Sequence, residues 1–279
     1  MNINAETKLV ALLGDPVEHS LSPTMHNAAF SKMGLNMAYL AFKVKKEDMK
    51  GALEGLKSLG AIGCNITVPH KETALTLLDE ATSEAKALGA VNTVLFKDGK
   101  ALGYNTDVIA IEEILDSLIS EDKEAFLLGA GGAAKASAYA LGKRGFKRVW
   151  ITNRMENRGK TLVEKMNELF PERPFQFLPW GDLPVSSGGL LINATSLGMS
   201  SVPWPKGLLE RFLDSWDVKG VLDIVYLPGG TTQLIEEAKR RNLKHVPGEE
   251  VLLRQGVWAF RLFTGINPEV CAMRSALGL

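Results

Sequence analysis

The sequence predicts an α/β protein of two domains, and three observations carry that prediction. Short apolar runs alternate with amphipathic stretches from end to end, the pattern of strands and helices taking turns in parallel sheets. The chain has 279 residues, about two domains at roughly 150 residues each. At Glu124 the pattern restarts, with an apolar run leading straight into Gly129-Ala130-Gly131-Gly132. The expected architecture is an amino-terminal α/β domain and a Rossmann-like domain with a cleft between them.

The run at 9–13 reads as the first strand. Ser22-Pro23 supplies an N-cap and a first-turn proline for a helix to about residue 33. A second strand is expected over 39–44. Met49, Leu53, Leu56 and Leu59 fall at helical spacing, and Gly60 stops that helix before a strand at 62–66. A hairpin follows over 91–103 with Asp98-Gly99 as its turn. Val108, Ile111, Leu115 and Leu118 mark a helix beginning at Asp107, whose polar end at 120–123 is the expected handover between domains. Beyond it come a strand to Leu128, an alanine-rich helix to Lys143, a strand at 148–152 and a helix at 156–169. Runs at 190–192 and 221–225 are two further buried strands. No repeat with a period of 20 to 50 residues occurs, which argues against a solenoid or propeller.

Composition narrows the function. At 46% hydrophobic and 23% charged, the chain is an ordinary folded protein. Its 32 basic residues balance 32 acidic ones, so it lacks the positive excess with which nucleic-acid binders meet phosphates, and a small polar partner is expected instead. No apolar stretch approaches the length of a membrane span and no signal-peptide core is visible, so the expectation is a cytoplasmic protein with no membrane partner. Cys64 and Cys271 are too few for a disulfide framework or zinc knuckle. His19, His26, His70 and His245 lack metal-ligand spacing, so no metal is expected, and neither a P-loop nor a Gly-x-Ser-x-Gly elbow occurs. The five tryptophans read as packing, since no basic cluster accompanies them.

The glycine-rich turn lies where a strand should end and a helix begin. There Gly129, Ala130, Gly131, Gly132 and Ala133 permit a close backbone approach to a pyrophosphate, and the helix amino end offers free N–H groups. A tight packed turn is the plainer reading of the glycines alone. An NAD site would place a carboxylate about 20 residues on, for the ribose hydroxyl. This chain has Asn153, Arg154 and Arg158 there, which suit a 2′-phosphate and favour NADP.

The first half carries polar residues that a simple core would not contain. Gly14-Asp15-Pro16-Val17-Glu18-His19-Ser20-Leu21-Ser22-Pro23 sets two hydroxyls at a helix amino end, a place for a carboxylate. Asn65-Ile66-Thr67-Val68-Pro69-His70-Lys71 ends a strand and projects Thr67 and Lys71 from it. Gly89-Ala90-Val91-Asn92-Thr93 and Gly103-Tyr104-Asn105-Thr106-Asp107 add polar groups at other strand ends, although Asp107 alone would pass as a helix cap.

Taken together, these motifs resemble those of the shikimate dehydrogenase family. The resemblance continues at Asn193-Ala194-Thr195-Ser196-Leu197-Gly198-Met199, at Asp223-Ile224-Val225-Tyr226, and at Gly248 with Gln255-Gly256. It implies NADPH-dependent reduction of 3-dehydroshikimate to shikimate, the step before phosphorylation in aromatic amino-acid biosynthesis. By the same resemblance Lys71 and Asp107 are the catalytic pair. Ser20, Ser22, Thr67, Asn92, Tyr226 and Gln255 line the substrate pocket, while Thr195, Ile224 and Gly248 join the glycine-rich turn around the cofactor. The implied division is a substrate domain of residues 1–106 with 248–279, and an NADP domain of residues 107–247. A homodimer is compatible with this reading. The chain departs from the family pattern at Leu21, where lysine is frequent, at Met155, where threonine is usual, and at Leu227 and Val251. The rivals are a quinate or dual quinate/shikimate dehydrogenase using NAD, and a catalytically idle binding protein, against which the retention of Lys71 and Asp107 speaks.

Overall fold

Strand β1 (Lys8–Gly14) sets the plan of the first unit, because its alternate side chains enter two different cores. Val10 and Leu12 pack with Phe30, Tyr39, Phe260 and Phe263, whereas Ala11 and Leu13 pack with Met49, Leu53, Leu56 and Ile66. A strand buried on both faces needs helices on both sides of its sheet, and the chain supplies them. The computed structural model describes residues 3–118, 123–185 and 188–279. It continues through α1 (Ser22–Lys32), β2 (Met37–Lys43), α2 (Met49–Ser58), β3 (Gly63–Ile66), α3 (Lys71–Leu75), β4 (Glu80–Ala81), α4 (Ser83–Leu88), β5 (Thr93–Lys97) and β6 (Lys100–Tyr104). These strands form one sheet in the order β2-β1-β3-β5-β6-β4.

Two expectations need correction here. The first sheet is mixed, not wholly parallel: the hairpin expected over 91–103 forms, with β5 antiparallel to β6, and β5 also runs antiparallel to β3. The turn Asp98-Gly99, whose φ angles of 51° and 75° are those of a two-residue hairpin, returns β6 antiparallel to β5. The second correction concerns Ser22, which is not an N-cap. Leu21 already has helical dihedrals (φ −83°, ψ −5°) and takes the cap position, so Ser22 is the first helical residue. Pro23 does sit in the first turn. The Ser22 N–H donates to Ser20 Oγ at 3.3 Å, so the capping hydroxyl comes from the earlier serine.

The second unit begins within α5 (Thr106–Leu118), a helix that starts one residue before the expected Asp107. Its elements are β7 (Glu124–Leu128), α6 (Gly132–Lys143), β8 (Arg148–Thr152), α7 (Glu156–Leu169), β9 (Phe175–Leu178), β10 (Gly189–Asn193), α8 (Leu208–Ser215), β11 (Val218–Asp223), α9 (Gln233–Arg240) and β12 (Lys244–Val246). Their sheet has the order β12-β11-β10-β7-β8-β9, and every pairing in it is parallel. This is the doubly wound arrangement in which ligands bind at the carboxyl ends of the strands. Its core joins Phe126, Leu128, Trp150 and Leu191 to Phe212, Trp216 and Leu234. The chain closes with α10 (Gly248–Thr264) and α11 (Val270–Ala276).

Two compact units result, Met1–Ile109 with Leu252–Leu279, and Ala110–Val251. The expected handover at 120–123 lies, Lys123 apart, outside the described residues. Among the described residues, no helix is long and apolar enough to cross a membrane.

Candidate active site

Three strand ends meet at one edge of the first sheet because β5 is antiparallel. The end of β3, the start of β5 and the end of β6 are brought level: Ile66 N–H donates to Asn92 O at 2.8 Å and Asn92 N–H to Tyr104 O at 3.0 Å. The loops after β1 and β3 run side by side there, joined by Asp15 N–H to Val68 O at 2.9 Å. Lys71 opens α3 just beyond β3, and its carbonyl accepts from Val91 N–H at 2.9 Å. Asp107 sits in the first turn of α5, where a helix amino end favours a carboxylate.

Lys71 Nζ donates to Asp107 Oδ2 at 2.6 Å, with 19% and 13% of the two side chains exposed. Asn92 Nδ2 donates to Asp107 Oδ1 at 2.8 Å, so both carboxylate oxygens are held. Asn92 is itself fixed, its Oδ1 accepting from Thr106 N–H at 2.8 Å. The arrangement presents a partly exposed ammonium whose position is set by two buried or half-buried neighbours, suited to giving a proton to a developing oxyanion.

Other sequence-predicted residues gather on the same unit. Ser20 and Thr67 are half-buried and Ser22 is buried, on the loops and helix just described. Gln255 lies on α10 within this unit, but its Nε2 donates to Leu252 O at 2.8 Å, so the amide nitrogen is turned onto its own helix. Tyr226 belongs to the second unit, three residues beyond β11.

In the second unit the glycine-rich turn joins β7 to α6, as expected. Gly129 has φ +115° and a Cβ there would stand 2.7 Å from Ala194 O, whereas a Cβ on Gly131 would meet nothing within 4 Å. Gly129 therefore serves the fold and Gly131 leaves open space over the amino end of α6. That helix has no side-chain cap and no acidic residue in its first turn, so its N–H groups are available to a pyrophosphate. Asn153 and Arg154 follow β8, the neighbour of β7. Among the described residues Arg154 and Arg158 are exposed and neither has an ion-pair partner. Asn153 Nδ2 donates to Met155 O at 2.8 Å. Open space, free N–H groups and two unpaired guanidiniums together fit a dinucleotide with a 2′-phosphate.

Thr195 closes its own turn, donating to Asn193 Oδ1 at 2.7 Å and accepting from Leu197 N–H at 3.0 Å. Gly248 approaches the carbonyls of Ile224 and Val225 so closely that a Cβ would stand 2.6 and 2.5 Å away. Between them lies Asp223, fully buried and bonded by Thr232 Oγ1 at 2.6 Å, Asn193 Nδ2 at 2.9 Å and Val225 N–H at 3.1 Å. Burial pushes its carboxyl up to about 7, against these three bonds, with Glu249 adding to the rise. In the sequence Asp223 and Asn193 stand in separate motifs with nothing local to show that they pair, and Thr232 lies in neither motif. The available signal was a charged residue ending an otherwise apolar strand.

Comparison with known proteins identifies the family. Three family models match in chain order: "Shikimate dehydrogenase substrate binding domain" over residues 12–94, "Shikimate / quinate 5-dehydrogenase" over 111–179, and "Shikimate 5'-dehydrogenase C-terminal domain" over 248–277. A relative from Methanocaldococcus jannaschii named shikimate dehydrogenase (NADP(+)) is 40% identical, over 99% of this chain and 98% of its own. The chain belongs to the shikimate dehydrogenase family. Solved members of the family share its fold. A shikimate dehydrogenase in complex with NADP+ has a TM-score of 0.88 at 38% identity, covering 99% of this chain and 96% of that one. The Thermus thermophilus enzyme, solved with NADP(H) and shikimate, has a TM-score of 0.81 at 36% identity, covering 97% and 98%.

Proposed function

We propose that this protein is an NADP-dependent shikimate dehydrogenase, interconverting 3-dehydroshikimate and shikimate, with Lys71 and Asp107 as its catalytic pair. The observation that carries the residue assignment is the 2.6 Å Lys71–Asp107 contact held from behind by Asn92. The relatives' names and the solved complexes with NADP and shikimate support the substrate and cofactor. In this reading Met1–Ile109 with Leu252–Leu279 is the substrate-binding unit and Ala110–Val251 the cofactor-binding unit.

Reduction of a ketone requires hydride at carbon and a proton at oxygen, and the bound nicotinamide supplies the hydride. Lys71 Nζ gives the proton to the oxygen as its charge develops, and in the reverse direction takes it back. Asp107 Oδ2 holds the ammonium in place while Asn92 spreads the carboxylate's charge. Ser20 and Ser22 receive the ring carboxylate, and Thr67, Asn92 and Gln255 receive the ring hydroxyls, Asn92 with the Nδ2 hydrogen it otherwise gives to Thr106 Oγ1 and Gln255 after turning its amide off Leu252. The turn Gly129 to Ala133 takes the pyrophosphate on the N–H groups of α6. Asn153, Arg154 and Arg158 would hold the 2′-phosphate, with Thr195, Ile224 and Gly248 as the remaining cofactor contacts. Cytoplasmic residence fits the free thiols Cys64 and Cys271.

Initial rates with shikimate and quinate, each with NADP+ and NAD+, test the assignment. Shikimate with NADP+ should be the preferred pair by at least about tenfold in kcat/KM, as one lost charge-assisted contact implies. A preference for quinate with NAD+ would overturn it.

A further inference from the structure

Behind Asn92 runs a line of buried polar side chains whose direction the backbone fixes at both ends. Asn92 Oδ1 accepts from Thr106 N–H at 2.8 Å. A backbone N–H can only donate, so the amide has one orientation and its nitrogen must face Asp107. Asn65 is fixed the same way, because its Nδ2 lies 3.2 Å from the Asn92 carbonyl oxygen, which can only accept. Asn65 Oδ1 is then the acceptor for the Tyr39 hydroxyl at 2.8 Å, and Asn65 Nδ2 also donates to Thr93 Oγ1 at 2.9 Å. The Thr93 hydrogen goes to Asn92 Oδ1 at 3.1 Å, nearer than Thr106 Oγ1 at 3.4 Å. One donor from each of Tyr39, Asn65, Thr93 and Asn92 therefore points along the row toward Asp107, and the second Asn92 Nδ2 hydrogen goes to Thr106 Oγ1 at 3.0 Å.

Such a row is cooperative, since each bond polarises the next, and in a dry interior its dipoles act together on the charge at its end. The row is dry: Tyr39 and Thr93 are fully buried, and Asn65 and Asn92 are 6% and 3% exposed. Tyr39 is anchored in turn by Asn27 of α1, which accepts from its backbone N–H at 2.8 Å and donates to its carbonyl at 2.9 Å.

We infer that Thr93, Asn65 and Tyr39 are positioning residues for the reaction: their oriented hydrogen bonds fix the Asn92 amide, and through it Asp107 and the Lys71 ammonium, in the geometry that proton transfer needs. The inference rests on the reading of Lys71 and Asp107 given above. Thr93 is fully buried, so its removal should register in turnover and not in substrate affinity.

Steady-state kinetics with shikimate and NADP+ decide it. Thr93→Val should lower kcat about 3- to 10-fold with KM changed less than about twofold, since the lost contact acts on the reacting geometry alone. Thr93→Ser keeps the hydroxyl and should recover most of the loss. Tyr39→Phe keeps the ring and should lose about 2- to 5-fold, the far link mattering less than the near one. In an Asp107→Asn background Thr93→Val should cost nothing further, because residues acting as one unit do not add. An unimpaired Thr93→Val enzyme, an equal loss from Thr93→Ser, or an undiminished loss on the Asp107→Asn background would each overturn the inference. Should Thr93→Val fail to fold, an unimpaired Tyr39→Phe enzyme overturns it alone. An Asp107→Asn enzyme of near wild-type turnover would sink the reading of the site together with the inference. An inactive Asp107→Asn enzyme beside an unimpaired Thr93→Val enzyme sinks the inference only.

Discussion

Lys71 and Asp107 stand 36 positions apart in the chain, yet Nζ lies 2.6 Å from Oδ2. Nothing local joins them. Lys71 opens α3 and Asp107 lies in the first turn of α5, and the pairing of β3, β5 and β6, whose ends those helices follow, brings both to one end of the sheet. Because both side chains are mostly withdrawn from water, their attraction is screened less than that of a surface pair.

The two glycines of the nucleotide turn should separate fold from function. Gly131→Ala puts a methyl into open space, so stability should change by less than about 1 kcal/mol, while NADP+ affinity should fall at least about tenfold because the methyl stands where the pyrophosphate must approach. Gly129→Ala meets Ala194 O and needs a left-handed φ, so it should destabilise the second unit by about 1 to 3 kcal/mol. Thermal unfolding and cofactor titration of the two variants check this. Equal effects of both on stability would show that Gly131 is structural.

Much of this was legible in the sequence, for physical reasons that can be named. The glycine turn announced itself because strand, glycines and helix are local, and so did the hairpin at Asp98-Gly99. The antiparallel pairing of β5 with β3 was not legible, since it depends on which strands become neighbours. Ser22 misled because a serine before proline reads as a cap, and only the dihedrals of Leu21 move the helix start by one residue. Short or weakly patterned elements such as β9, β12 and α9 escaped notice. So did the row from Tyr39 to Asn92, whose members are far apart in sequence and meet only in the packed core.

Arg154 is exposed and unpaired among the described residues, so Arg154→Ala should leave the fold intact. NADP+ affinity should fall about tenfold or more, and NAD+ affinity should hold within about twofold, because only the former carries the 2′-phosphate. Fluorescence titration of both cofactors gives the ratio. A parallel loss for both would mark the arginine as structural.

His26 should make the first unit sensitive to acid. Its ring is stacked on Tyr39 with centroids 4.5 Å apart, both nitrogens are buried with no hydrogen-bond partner among the described residues, and burial holds its pKa down at about 3. The unfolded chain binds a proton below about pH 6.5 that the folded one refuses until about 3, so stability present above that window is lost as pH falls through it. His26→Phe keeps the stack and removes the titration. Relative to wild type the variant should gain about 2 kcal/mol between about pH 6.5 and pH 5. Denaturant unfolding at the two values measures the difference, and a gap independent of pH would refute it.

Ser22→Ala should lower kcat/KM for shikimate about tenfold or more, since a hydroxyl bonded to a charged group contributes about 1.5 to 3 kcal/mol. Helix stability should change little, because Ser22 is not the cap. A neutral analogue with hydroxymethyl in place of the carboxylate should be insensitive to the substitution. If the analogue loses as much as shikimate, the serine does not read the carboxylate.

The kcat of Lys71→Ala, measured with saturating shikimate and NADP+ on protein whose cofactor affinity is unchanged, tests the central claim most directly. The account predicts a fall of about 10² to 10⁴, the usual worth of general acid–base catalysis. A variant that keeps more than about a third of wild-type turnover would contradict it, because a proton donor worth so little is not the catalytic acid.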